Sequence, residues 1–228
     1  MNASGPVIEL RKVSKTYEGE VPTQVLFDVD LTVNVGEFVA VVGSSGSGKT
    51  TLLNIIGLLD GPTSGEVIVD RQNVAHLSED GRACIRREFL GFIFQFHYLL
   101  PQFTVLENAL LPCRLKGGDC ECEQSPRMQE LLAKVGLADR MGYRADRLSG
   151  GQQQRAAIVR SLANDPVLVL ADEPTGNLDS ANSGVVFDLL RELNRETGKA
   201  FLMVTHDESL AERCDRIVRL VDGRVASG

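Results

Sequence analysis

A chain of 228 residues that is 43% apolar and 24% charged is large enough to bury a sizeable core without covalent staples, as one large domain or a core with a satellite. Its 31 acidic and 24 basic side chains leave a formal charge of −7, which argues against a nucleic-acid surface, since that needs a clustered basic face. No apolar run approaches the roughly 18 residues that span a bilayer, and MNASGPVIEL lacks the basic flank and apolar stretch of a leader, so a cytosolic chain is expected.

In chain order, the first strand is predicted at 7–13 (VIELRKV) and the next at 38–42, where FVAVV is a short continuous apolar run. Directly after it stands GSSGSGKT (43–50), which fits G-x-x-x-x-G-K-[ST], and a helical pattern follows over 49–59. Strand, glycine loop and helix in that order form a phosphate cradle. The glycines let backbone N–H groups approach an anion that a Cβ would hold off, and the helix adds its positive end. Gly43, Ser44, Ser45, Gly46, Ser47 and Gly48 form the loop. Lys49 supplies a charge to the β and γ phosphates, and the Thr50 hydroxyl is placed to ligate Mg²⁺. The chain is therefore expected to bind a nucleoside triphosphate.

Strands follow at 66–69 and 91–94, the early ones close together with Gly-rich turns, as in a small antiparallel portion. Past Gln95 the stretch 96–148 loses strand signals, so a mostly helical subdomain is expected there, with a helix at 128–135. Its opening is rich in aromatics (Phe96, Tyr98, Phe103), which either pack internally or line a groove for a partner helix. KGGDCECEQSP (116–126) reads as a surface loop, and Cys120 and Cys122 read as reduced thiols because no second pair or nearby histidine completes a metal set.

A second glycine motif, LSGGQQQR (148–155), opens a helix over 152–163 that Ser149 can cap, exposing further N–H groups at a positive helix end. Two anion-binding helix ends with one lysine-bearing loop suggest a head-to-tail dimer. Each nucleotide would then lie between the phosphate loop of one chain and the second motif of the other. The strand at 167–171 delivers Asp172 and Glu173 to its carboxyl end, the edge where parallel sheets bind ligands. Asp172 suits Mg²⁺, and Glu173 suits a water aimed at the γ phosphate. After a helix at 181–195 and a strand at 200–204, His206 stands at a third strand end, and RIVRLVDGRVAS closes as a hairpin on Asp222-Gly223. Apolar strands alternating with helices make the fold class α/β, a parallel sheet covered on both faces. There is no internal repeat and no heptad run.

Over essentially its whole length the chain resembles the ATP-binding subunits of ABC transporters, P-loop NTPases with a RecA-like core. GSSGSGKT matches Walker A, Gln95 the Q-loop, LSGGQ the family signature, VLVLADE the Walker B strand with its glutamate, Asn177-Leu178-Asp179 the D-loop and His206 the switch histidine. The resemblance implies a single ABC ATPase domain over 1–228. The core is 1–95 and 149–228, and the helical subdomain is about 96–148. It implies ATP hydrolysis with Mg²⁺ in a homodimer that closes on ATP. Glu173, His206 and Gln95 would be catalytic, and Thr50, Gln95 and Asp172 would lie at the metal. Ser149 and Gly151 would contact the γ phosphate held by the other copy. Thr51, Gly150, Gln152 and Asp179 would also contact nucleotide, and Tyr17 would stack on adenine.

FHYLLPQFTVLEN with ADEPTGNLD is similar to the lipoprotein-releasing group, a relative of the macrolide-export and cell-division ATPases. That implies two integral membrane subunits as partners and a peripheral place on the cytoplasmic side of the bacterial inner membrane. Macrolide-export chains continue into a fused membrane region, whereas this sequence stops at Gly228. A cell-division type of signalling to cell-wall machinery is the alternative to transport.

Overall fold

Strand patterning decides which of two sheets a segment joins. In the computed structural model, which describes residues 5–226, β1 (Pro6–Tyr17) and β2 (Thr23–Asn34) pair antiparallel. Residues 1–4 and 227–228, read above for a leader and a chain end, lie outside the described residues. In β2, buried Val29, Leu31 and Val33 alternate with exposed Asp28, Asp30 and Asn34 and a partly buried Thr32, the period-two pattern of a strand with one wet face. This stretch has no continuous apolar run, so the sequence alone predicts no strand there. β3 (Phe38–Val42) is such a run, and all five residues are buried.

After α1 (Lys49–Ile56), β4 (Ser64–Val69) and β5 (Gln72–Asn73) complete a four-stranded sheet of order β2-β1-β4-β5. Next come α2 (Glu79–Phe89), β6 (Leu90–Ile93), α3 (Val105–Lys116), α4 (Cys120–Lys134), α5 (Gly150–Ser161) and β7 (Leu168–Asp172). The chain ends with α6 (Ser180–Thr197), β8 (Ala200–Val204), α7 (Glu208–Ala211), β9 (Arg216–Val221) and β10 (Arg224–Val225). The second sheet has order β10-β9-β3-β8-β7-β6, and every pair is parallel except the β9–β10 hairpin. Asp222 and Gly223 turn that hairpin at φ 46° and 73°, which matches the twist of the strands.

Successive residues of β3 face opposite ways and so serve both layers of core. Val39 and Val41 pack with Ile8, Leu10, Leu26 and the α1 residues Leu52, Leu53 and Ile56 between the two sheets. Phe38 faces the other layer, stacked 5.5 Å from Phe187 of α6 and 5.4 Å from Phe201 of β8. Asp215 locks this corner: its carboxylate accepts from Phe38 N at 2.8 Å and from Arg191 Nη1 at 2.9 Å. The Arg191 guanidinium holds the Asp215 carboxyl below its ordinary range.

The segment 116–126 is not the expected loop. Only Gly117, Gly118 and Asp119 join α3 to α4, with both glycines at positive φ (81° and 64°). Pro112 and Pro126 lie inside helices. The buried face of Ala109, Leu110, Cys113, Met128 and Leu132 offsets what two prolines cost in backbone hydrogen bonds. The helix expected at 128–135 therefore starts eight residues earlier. α2 also went unread, although Ser78 caps it and its charges run from Glu79 and Asp80 to Arg86 and Arg87.

Candidate functional site

Because β8 lies between β3 and β7, the carboxyl ends of the three strands sit side by side. At two positions the turn after β3 has no room for a side chain. A Cβ on Gly43 would stand 2.3 Å from Leu220 O, and Gly48 turns at φ 100° with Leu26 Cδ2 2.9 Å from where its Cβ would be. α1 starts at Lys49, whose Nζ donates to Gly43 O at 2.9 Å and Ser44 O at 2.8 Å, so the ammonium bridges the mouth of the loop. Ser45, Gly46, Gly48, Lys49, Thr50 and Thr51 line a cavity of about 320 Å³ with Asp172 and Glu173. Ser47 is turned away: its side chain is buried beneath the loop, its N–H donates to Ser44 O at 3.2 Å and its carbonyl accepts from Gly223 N. Its buried hydroxyl makes no hydrogen bond to a described residue and does not line the cavity.

Asp172 ends β7 half-buried. Burial pushes its carboxyl up, the adjacent Glu173 carboxylate adds to the push, and Lys49 partly opposes both. A hydroxyl from Thr50 and a carboxylate from Asp172 in one polar cavity are hard oxygen donors. A carboxylate whose charge is disfavoured by its surroundings is one that a cation would relieve. That donor set fits Mg²⁺, which is commonly held by one or two protein oxygens with phosphates and water completing its shell.

Glu173 extends the β7–β8 ladder by one bond, its N–H reaching Val204 O at 3.0 Å, while its backbone sits at φ 45°. A non-glycine residue in that region is strained by about 1–3 kcal/mol, and the strain aims the side chain at His206. His206 Nδ1 lies 2.9 Å from Glu173 Oε2. An ionised carboxylate only accepts, so Nδ1 carries the proton and donates. Glu173 is mostly buried (18% exposed) and His206 is open to solvent (74%). Tyr17 stands at the rim, its Oη donating to Thr51 Oγ1 at 3.5 Å and its ring 4.9 Å from the Lys15 ammonium.

Gln95 stands elsewhere. The resemblance places it at the metal, but here its Nε2 donates to Asn177 Oδ1 at 3.3 Å, and Asn177 Nδ2 donates back to Gln95 O at 2.9 Å. Gly176 makes room for this clasp, since a Cβ there would be 2.8 Å from Gln95 Nε2. Ser149, Gly150, Gly151 and Gln152 likewise do not line the cavity. Ser149 caps α5 reciprocally: its Oγ accepts from Gln152 N at 3.4 Å while Gln152 Oε1 accepts from Ser149 N at 3.0 Å. No side chain comes within 4 Å of where a Cβ on Gly150 or Gly151 would sit, so this helix start is open to an incoming group. Asp179 caps α6, accepting from Asn182 N at 2.8 Å.

Three residues that the sequence reading passed over tie these parts together. Gln154, fully buried on α5, donates to Pro174 O at 2.7 Å, next to Glu173. Arg160, six residues on along the same helix, donates to Tyr98 O at 2.6 Å and His97 O at 2.7 Å. Asn108 pins the loop that follows, accepting from Leu100 N at 2.7 Å and donating to Leu100 O at 3.0 Å. Gln154 and Asn108 carried a signal, a polar residue at a core position of a helical period.

Residues 26–176 match the family described as ABC transporter. Among curated relatives, the Lipoprotein-releasing system ATP-binding protein LolD of Anaeromyxobacter dehalogenans is 55% identical over 97% of this chain and 93% of its own length. LolD 1 of Rhodopseudomonas palustris is 49% identical over 96% and 98%. Among solved structures, the dimeric structure of the bacterial ABC transporter cassette MJ0796 is 45% identical, with TM-score 0.86 over 96% of this chain and 97% of that one. A dimeric post-hydrolysis state of the same cassette bound to ADP and Pi gives TM-score 0.83 at 42% identity over 96% and 97%.

Proposed function

The chain belongs to the ABC transporter family, and on that premise we propose that it is the ATP-hydrolysing subunit of a lipoprotein-releasing system, working as a dimer beneath two integral membrane subunits. One observation carries the chemistry: Lys49, Thr50, Asp172 and Glu173 share a single cavity, with His206 bonded to Glu173. On ATP binding, Lys49 exchanges its two carbonyl partners for β and γ phosphate oxygens. Thr50 and Asp172 would hold Mg²⁺, which would neutralise phosphate charge when bound. Glu173 accepts the proton of the water that attacks the γ phosphorus, and His206 fixes the direction of that carboxylate.

The open start of α5 does not reach the cavity of its own chain, which supports the composite site. Ser149, Gly150, Gly151 and Gln152 would meet the γ phosphate held by the other copy. The backbone amides and the helix end supply the attraction. Tyr17 would stack on adenine from the rim, and Asp179 would sit at the seam between copies.

Residues 96–148 then act as the helical subdomain, and the clasp of Gln95 with Asn177 links its entrance to the catalytic segment. Beside it an apolar groove of about 580 Å³, lined by Phe92, Phe94, Tyr98, Leu111 and Leu115, offers a seat for a helix of the membrane subunit. Among the described residues no helix is long and apolar enough to cross a membrane. A peripheral position on the cytoplasmic side of the inner membrane follows from the proposed partners. The test is reconstitution: with its two membrane subunits in vesicles, the chain releases an acylated lipoprotein only when ATP is hydrolysed. A complex that hydrolyses ATP and releases none would refute the substrate.

A further inference from the structure

The cysteine pair of the sequence separates in the structure. Cys122 is exposed on α4, whereas Cys120, two positions earlier, is partly buried and packs with the core that holds α3. Its neighbour there is Cys113, fully buried at the end of α3, whose thiol is pushed up first by burial and then by the Cys120 side chain beside it. Both also donate to consecutive residues after α5: Cys113 Sγ to Ala163 O at 3.4 Å and Cys120 Sγ to Asn164 Oδ1 at 3.8 Å. Asn164 in turn donates to Pro112 O at 3.3 Å and Arg87 O at 3.0 Å, and with Pro112 and Leu115 it lines the apolar groove.

The two thiols differ in reactivity. Burial pushes the Cys113 thiol up to about 12, so it stays protonated. Cys120 is the first residue of α4 and is partly exposed, so it is the one of the two that a peroxide reaches first. Gly117 and Gly118 have no atom within 4 Å of a Cβ position, so the connection between the helices is not wedged in place.

We propose that Cys113 and Cys120 are a dithiol site that a hydroperoxide closes to a disulfide, fastening the last turn of α3 to the first turn of α4 behind the groove. The Cys120 thiol sulfur attacks one oxygen of hydrogen peroxide and the O–O bond breaks. This leaves a sulfenic acid on Cys120, and the departing hydroxide takes the thiol proton and leaves as water. The Cys113 sulfur then displaces the hydroxyl from Cys120, and its proton leaves with that hydroxyl as a second water. Two thiols lose two electrons in all, and one peroxide gains them. In a reducing compartment such a bond is transient, as in other redox-sensing pairs.

The test treats the full chain, dilute and folded, with hydrogen peroxide, then alkylates and digests it with trypsin. Two of the five thiols are lost, and peptide 88–114 is found joined to peptide 117–127. Dithiothreitol reverses the link, Cys122→Ser retains it and Cys120→Ser abolishes it. A link that disappears in Cys122→Ser, a treated chain with all five thiols still titratable, or loss confined to Cys84 and Cys122 would overturn the proposal.

Discussion

Asn108 is fully buried, and its side chain replaces secondary structure for the loop that leads from the Gln95 segment into α3. Its Oδ1 accepts from Leu100 N at 2.7 Å, and its Nδ2 faces Leu100 O at 3.0 Å, Thr104 O at 3.0 Å and Phe103 O at 3.3 Å. Two amide hydrogens shared among three carbonyls, with one accepted bond, amount to at most three full bonds. At about 1 kcal/mol each, Asn108→Ala costs about 3 kcal/mol, a sizeable part of the 5–15 kcal/mol that usually holds a domain. Urea unfolding measures this: the midpoint falls by about 1 M for a slope near 3 kcal/mol/M, with the slope unchanged. Asn108→Asp keeps the acceptor but sets a carboxylate against three carbonyl oxygens, so it costs at least as much as alanine. A loss within about 0.5 kcal/mol for alanine, or an aspartate variant more stable than the alanine one, would refute the reasoning.

Asp172 gives the opposite sign of stability change. Its folded pKa lies above the ordinary 3.8, so the folded chain holds that proton more tightly than the unfolded one. Stability therefore falls as pH rises from 3.8 through the raised value, and Asp172→Asn removes the fall. Melting curves across pH show the nucleotide-free variant more stable at neutral pH, while its Mg²⁺-dependent ATP hydrolysis collapses; a lower melting temperature would contradict the burial argument. Phe96 and Tyr98 are 61% and 65% exposed. Changed to alanine, each lowers stimulation of ATP turnover by the membrane partners more than it lowers basal turnover, and equal losses would mean that both only pack.

What was legible in the sequence is what local rules govern. The phosphate loop, the helix cap at Ser149 and the Asp222-Gly223 turn each depend on residues within a single stretch of at most eight positions, and the structure has all three. Strand ends at Asp172 and His206 were legible because continuous apolar runs mark buried parallel strands. α3 and α4 were obscured because Pro112, Pro126 and Gly117-Gly118 look like breakers until the packed face that compensates for them is seen. The Gln95–Asn177 clasp spans 82 positions and depends on β6 lying beside β7, an adjacency that no local pattern encodes. Ser47 shows the same limit within a motif, since the pattern allows any residue there and the fold buries its hydroxyl.

The central claim is that each ATP lies between two copies of this chain. Ultracentrifugation of Glu173→Gln with and without ATP tests it most directly, read beside the same chain carrying Ser149→Asp. Aspartate still caps α5, so the helix stays formed, but it sets a negative charge where the γ phosphate of the other copy would lie. The account predicts that ATP drives Glu173→Gln into a dimer, and that Ser149→Asp prevents this while one chain still binds ATP as tightly. A dimer that ignores Ser149→Asp, or a single chain that loses its ATP affinity with it, would contradict the shared site.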